Sequence, residues 1–268
     1  MIDAAVHLWS ADATRYPWPA DATQPPPSTP GDPERLFRDL GTAGVSRAVV
    51  VQSSSYGDDH AYLLDQVAAS SGRLAGVGLL RDRGRSAERS AQRLLDAGCA
   101  GIRVIVGDDP GWLASDHAAR VWRVAEARTA PVGLLTGPRT LAAVTDLAVA
   151  RPDLVLVLDH LALIGPADLA DAIPHLHRMA AAPGVRIKLS ALRAVTGEAP
   201  PFAGARPVLR AVRDLFGPHR LIYGTDWPYA ADDDPYPTTI EALDAALGWS
   251  ADERELVVER NAADLWWR

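Results

Sequence analysis

Short apolar stretches recur along the chain at residues 2–8, 47–52, 75–80, 101–106, 131–135, 154–158, 185–189 and 221–223. Most are continuous rather than alternating, the pattern of parallel strands buried on both faces. Amphipathic helical patterns fill the gaps, at 33–43, 60–69, 86–97, 117–128, 138–150, 167–182, 206–216 and 238–247, with a last one at 251–258. Their ends carry helix signals. Asp32 precedes Pro33 as an N-cap before a first-turn proline, and Gly98 follows the third pattern as a helix-ending glycine.

A strand and a helix repeated eight times without a composition break predict one domain over residues 1–268, a single (β/α)8 TIM barrel. A doubly wound open sheet is the alternative, but a Gly-rich phosphate turn, which often follows its first strand, is missing. In its place lies a long Pro-rich loop, residues 12–32, open to two readings: a lid or ligand-binding segment, or a plain surface excursion.

Composition narrows the class without changing it. The chain is 48% hydrophobic and 23% charged, which is ordinary for a globular protein. A net charge of −7 speaks against nucleic acid or an anionic membrane as partner. Cys99 is the single cysteine, so no intrachain disulfide forms. No apolar run approaches the ~20 residues of a membrane span, and no signal-like start precedes Asp3. The expectation is a cytoplasmic enzyme acting on a small molecule. Trp249, Trp266 and Trp267 are free to pack on the barrel or on a second copy in a homo-oligomer.

In a barrel, chemistry gathers at the C-terminal ends of the strands. Those ends carry His7, Gln52 and Tyr56, Arg103, Thr136 with Arg139 beyond it, Asp159 and His160, Lys188 and Ser190 with Arg193, and Asp226 with Trp227. Two His, an Arg and an Asp at one rim are expensive to bury unless they serve a site. Asp159 precedes His160, so on an extended strand it points to the opposite side and is expected to serve packing or structure. His175 and His177 form a His-x-His pair, but within a helix such residues diverge, so they read as solvated surface.

These strand ends resemble the amidohydrolase superfamily, most closely its sugar-lactonase and 2-pyrone-4,6-dicarboxylate lactonase branch. "IDAAVHLW" is similar to the opening Asp-Ala-His-x-His-x-Trp, and "RYPWP" to the segment after it. "AVVVQSSSYGDDHAYLLD", "AGIRV", "VLDHLAL", "IKLSAL", "YGTDWPY" and "NAADLWW" follow in the family's order. The resemblance implies a barrel hydrolase of carbon–oxygen or carbon–nitrogen bonds, with a strand-eight Asp that handles water. By position Asp226 matches that Asp, His160 the strand-six His, and His7 the second His of the strand-one pair.

The departures are specific. Ala5 stands where the first His belongs, Leu135-Thr136 where dinuclear members place a His, and strand four ends without a bridging Lys or Glu. A binuclear centre is therefore not expected. The cofactor is either none, as in the pyrone lactonases, or one divalent Zn or Mn held by His7, His160 and Asp226. Two origins are open for Ala5: natural drift, or a deliberate His-to-Ala change of the kind used to trap substrates.

The expected chemistry is opening of a lactone or similar cyclic ester of a small hydroxylated or carboxylated compound. Asp226 activates water, and His7 and His160 polarise the carbonyl. Arg103 offers a bidentate grip on a carboxylate or hydroxyl, with Arg139 and Arg193 as further cations. Gln52 and Tyr56 serve as hydrogen-bonding contacts, and Trp9, Trp18 and Trp227 as flat walls or plain core. Two rivals are a metal-dependent decarboxylase of the same superfamily and a binding protein whose catalysis is lost.

Overall fold

The computed structural model describes residues 1–19, 28–107, 109–229 and 233–267. Eight parallel strands follow one another around a single sheet: β1 (Ile2–Val6), β2 (Arg47–Val51), β3 (Leu74–Leu79), β4 (Gly101–Ile105), β5 (Val132–Leu135), β6 (Leu156–Leu158), β7 (Val185–Leu189) and β8 (Leu221–Tyr223). Each pairs in parallel with the next, and a Val6–Trp227 bridge joins the first to the segment beyond the last. The strands are the expected ones, with some ends shifted by one or two residues; β6 begins only at Leu156 and ends as expected at Leu158, where the chain turns sharply.

The helices are α1 (Pro33–Thr42), α2 (Ala61–Ala69), α3 (Ala87–Asp96), α4 (Asp116–Ala127), α5 (Leu141–Ala150), α6 (Leu169–Ala180), α7 (Leu192–Thr196), α8 (Arg206–Phe216), α9 (Thr238–Leu247), α10 (Ala251–Glu255) and α11 (Asn261–Trp266). Asp32 caps α1 by accepting from the Arg35 N–H at 2.9 Å. The short α7 was not legible in the sequence, and the pattern at 138–150 opens as a 3-10 turn (Pro138–Thr140) before α5. Among the described residues, no helix is long and apolar enough to cross a membrane.

Two apolar clusters hold the barrel. The larger lies between strands and helices and includes Leu36, Leu40, Val50, Ile102, Trp122, Leu134, Val144, Leu189 and Val212. The smaller fills the barrel itself: Ile2, Ala4, Val49, Val51, Val77, Val157 and Ile222 meet Ala262, Leu265 and Trp266 of α11. Trp266 sits beside Gly101, at the start of β4, so α11 closes the N-terminal end of the barrel. Trp267 donates from its indole to Gly72 O and Trp249 to Asp244, so all three C-terminal tryptophans pack within the chain.

Of the Pro-rich loop, residues 20–27 lie outside the described residues, and with them the expectation of a lid. Its described ends are tied down. Tyr16 donates to Asp65 at 2.6 Å, Trp18 stacks on Tyr56 with centroids 4.4 Å apart, and Trp9 donates to Thr29 O.

Candidate active site

The seam between β1 and β8 is stitched by a buried carboxylate. Asp3 accepts from the N–H groups of Ala5 and Thr225, each at 3.0 Å, and from the hydroxyls of Thr225 at 2.6 Å and Tyr236 at 2.5 Å. Gly224 makes the seam close: a Cβ there would come within 2.8 Å of the Ala5 Cβ. Directly above, the Asp226 N–H donates to Ala5 O and the His7 N–H to Trp227 O, both at 2.8 Å. These ties hold Asp226 at φ +74, a left-handed conformation that side-chain-bearing residues avoid and that recurs at functional sites.

Asp226 thereby turns its carboxylate into the barrel mouth. Its Oδ1 lies 3.1 Å from His7 Nε2 and 3.5 Å from His160 Nε2, and 18% of its side chain stays exposed. The other nitrogen of each ring is occupied. His7 Nδ1 faces Val51 O at 2.9 Å; a carbonyl only accepts, so Nδ1 carries a proton. His160 Nδ1 lies 2.9 Å from the Ser190 hydroxyl. With that hydroxyl donating, His160 presents an Nε2 proton to Asp226.

Asp159 corrects an expectation. Extended geometry would turn it away from His160, but the strand stops at Leu158. His160, Leu161, Ala162 and Leu163 then run as four consecutive left-handed residues, φ 51 to 55. Asp159 is buried in the mouth, 2.9 Å from both Arg103 Nε and Lys188 Nζ. Arg103 is thus gripped by a carboxylate of the chain while still facing the pocket.

Electrostatics follow from this packing. Burial pulls the Asp226 carboxyl upward, but His160, the His7 hydrogen bond and Arg103 outweigh it, and the group sits below the ordinary carboxylate value. Burial likewise raises Asp159, and Lys188, Arg103 and His160 reverse the effect, so it stays ionised. Burial lowers His160 below the ordinary imidazole value despite Asp226 and Asp159, which keeps it neutral at pH 7.

A pocket of about 450 Å³ opens over these groups, lined by His7, Ser54, Arg103, Ile105, Leu135, His160, Asp226 and Tyr229. It brings together all four residues assigned to catalysis from the sequence. The others lie outside its lining. Gln52 donates to Asp59 O, and Tyr56 accepts from the Ser10 N–H. Trp227 donates to Asp39. Arg139 is exposed in an adjoining cleft that shares Ile105 and Leu135 with the pocket. Arg193 is held by both carboxylate oxygens of Asp234. Trp9 packs against Tyr229 at 5.6 Å. Tyr229 itself was missed: its ring meets His7 edge-on at 5.2 Å. The available signal was an aromatic three positions after Asp226.

The sequence profile described as Amidohydrolase matches residues 2–268. The chain belongs to the amidohydrolase family. It is 33% identical over 241 residues to an L-fucono-1,5-lactonase of Burkholderia ambifaria, covering 85% of this chain and 80% of that one. It is 23% identical over 237 residues to a 4-sulfomuconolactone hydrolase of Rhizobium radiobacter, covering 87% and 77%. Among solved structures, a probable 2-pyrone-4,6-dicarboxylic acid hydrolase from Acinetobacter baumannii with citric acid bound superposes with a TM-score of 0.83 at 20% identity, over 100% of this chain and 99% of that one.

Amidohydrolases often bind a metal, and a metal needs several converging donors. His7 has the carbonyl-anchored Nδ1 common in ligating imidazoles. The set nevertheless falls short: Ala5 brings no donor, and among the described residues no group of three or more His, Cys, Asp or Glu side chains is arranged to hold an ion. The chain thus lacks one donor of the strand-one pair, and no step below runs through a metal.

Proposed function

We propose that this protein hydrolyses a lactone or similar cyclic ester of a small hydroxylated or carboxylated compound. The observation that carries the proposal is the convergence of one carboxylate on two imidazoles, at 3.1 and 3.5 Å, in a pocket that also presents a guanidinium. The two curated relatives, each named for a lactone substrate, support the same class of bond.

In this reading, water between Asp226 and the lactone carbonyl gives its proton to the carboxylate as it attacks. Charge that develops on the carbonyl oxygen is met by N–H groups of His160 and Arg103, already oriented by Ser190 and Asp159, with the His7 ring beside them against Asp226. Collapse breaks the ring carbon–oxygen bond, and the departing alkoxide takes back the proton held by Asp226. Water has then been added across the bond and the product is a hydroxy acid.

The test is Asp226→Asn assayed on a panel of sugar and simple lactones. Turnover is expected to fall by about 10²–10⁴, the range of a positioned general base. Undiminished turnover would overturn the role of Asp226. Release of CO₂ from aromatic acids, with every lactone untouched, would favour the decarboxylase instead.

A further inference from the structure

On the far side of Asp226 lies a second chamber, of about 210 Å³, between the segment after β7 and the segment after β8. Asp226 and Tyr229 line both it and the catalytic pocket, so the two spaces share a wall and a corner. Its body is apolar: Ala191, Leu192, Phe202 and Trp227 are all buried, and Tyr236 adds a ring whose hydroxyl is turned to Asp3. Of the described lining residues Arg193 is the single cation, and Asp234 occupies it through both carboxylate oxygens. Folded interiors seldom leave voids larger than a water molecule. At ~30 Å³ per liquid-density water, this one has room for roughly seven heavy atoms.

A charged or polyhydroxylated group placed there would lose water to a lining that, among the described residues, is mostly apolar. An alkyl or aryl group would lose nothing and gain burial. We propose that the chamber is a specificity subsite for an apolar substituent of the substrate. The preferred substrate is then a lactone whose ring sits over Asp226 and whose alkyl or aryl arm reaches past it. This rests on the lactonase reading for the identity of the ring, but not for the chemistry of the arm.

Two measurements separate the claims. The first is kcat/KM for δ-valerolactone and its methyl, propyl and pentyl derivatives substituted beside the ring oxygen. The second is calorimetric binding of the matching alkyl tetrahydropyrans, which keep ring and arm but have no ester to open. Both should rise about fourfold per methylene. Ala194→Phe, which extends a ring from α7 into the chamber, should flatten both slopes. Should that variant not fold, Thr239→Leu fills the chamber from α9. Lactones opened with no dependence on arm length would overturn the subsite and leave the lactonase reading standing. Ethers that tighten with arm length while no lactone is opened would uphold the subsite and sink that reading. Neither turnover nor length-dependent binding would overturn both.

Discussion

At the lower end of the barrel, α11 presses Trp266 and Leu265 against Ile2, Val49, Val77 and Ile222, a mainly apolar contact. At the upper end, a few residues along the same strands, the chain buries Asp159, Lys188, Arg103, His7 and His160. It also holds Asp226, His160 through Leu163, and Ala191 in left-handed backbone. Lys188 spans the two: its ammonium is 2.9 Å from the Asp159 carboxylate above and 5.5 Å from the centre of the Trp266 ring below. Burying apolar surface stabilises each element that takes part, whereas buried charges at best offset their own desolvation. The lower end is thus where the fold is secured, and the upper end is where that stability is spent on holding groups that react.

Asp159 gives the sharpest way to break this contrast. Asp159→Asn leaves two buried cations facing a neutral amide. Stability should fall by about 3–5 kcal/mol, read from the denaturant midpoint, and lactone turnover should fall with it because Arg103 loses its tether. A variant of wild-type stability would mean that the charges at the mouth are not coupled as their geometry requires.

Trp266→Ala probes the other end. Loss of a buried indole should cost about 3–5 kcal/mol, near the lower figure if α11 settles into the gap. Because Trp266 touches no reacting group, kcat measured well below the new Tm should stay within about twofold. A large fall in kcat at undiminished stability would erase the distinction between the ends.

The same contrast governs what the sequence could disclose. Strands are written in local apolar runs, so all eight were legible, along with the order of the residues at their ends. His7, Arg103, His160 and Asp226 could be grouped because a barrel brings every strand end to one rim. Partner choice is not written locally. That Asp159 grips Arg103, 56 positions away, depends on where β6 stops, and it stops at a left-handed turn containing no glycine to announce it. Tyr229 and α7 follow β8 and β7 in short irregular segments, where neither period 2 nor period 3.6 applies. Ala5 was legible as a departure, but only the atoms show that His7 and His160 still meet on one oxygen of Asp226, at 3.1 and 3.5 Å.

The smallest expected effect falls on a single hydrogen bond at the upper end. Ser190 is fully buried and touches His160 at Nδ1, on the ring face away from Asp226. A hydroxyl donating to Nδ1 favours the neutral ring, adding to the burial that already holds His160 below the ordinary imidazole value. Wild-type kcat/KM should therefore be flat near neutrality and fall only as the pH drops below that value, when the ring charges and forms an ion pair that disables Asp226 as a base. Ser190→Ala should lower kcat by roughly 5- to 10-fold, the worth of one hydrogen bond, and move the acid limb to higher pH. Ser190→Thr, which keeps the hydroxyl, should restore the limb. A limb that stays in place in Ser190→Ala, with only the Tm reduced, would make Ser190 a packing residue. The orientation of His160 would then belong to the backbone turn alone.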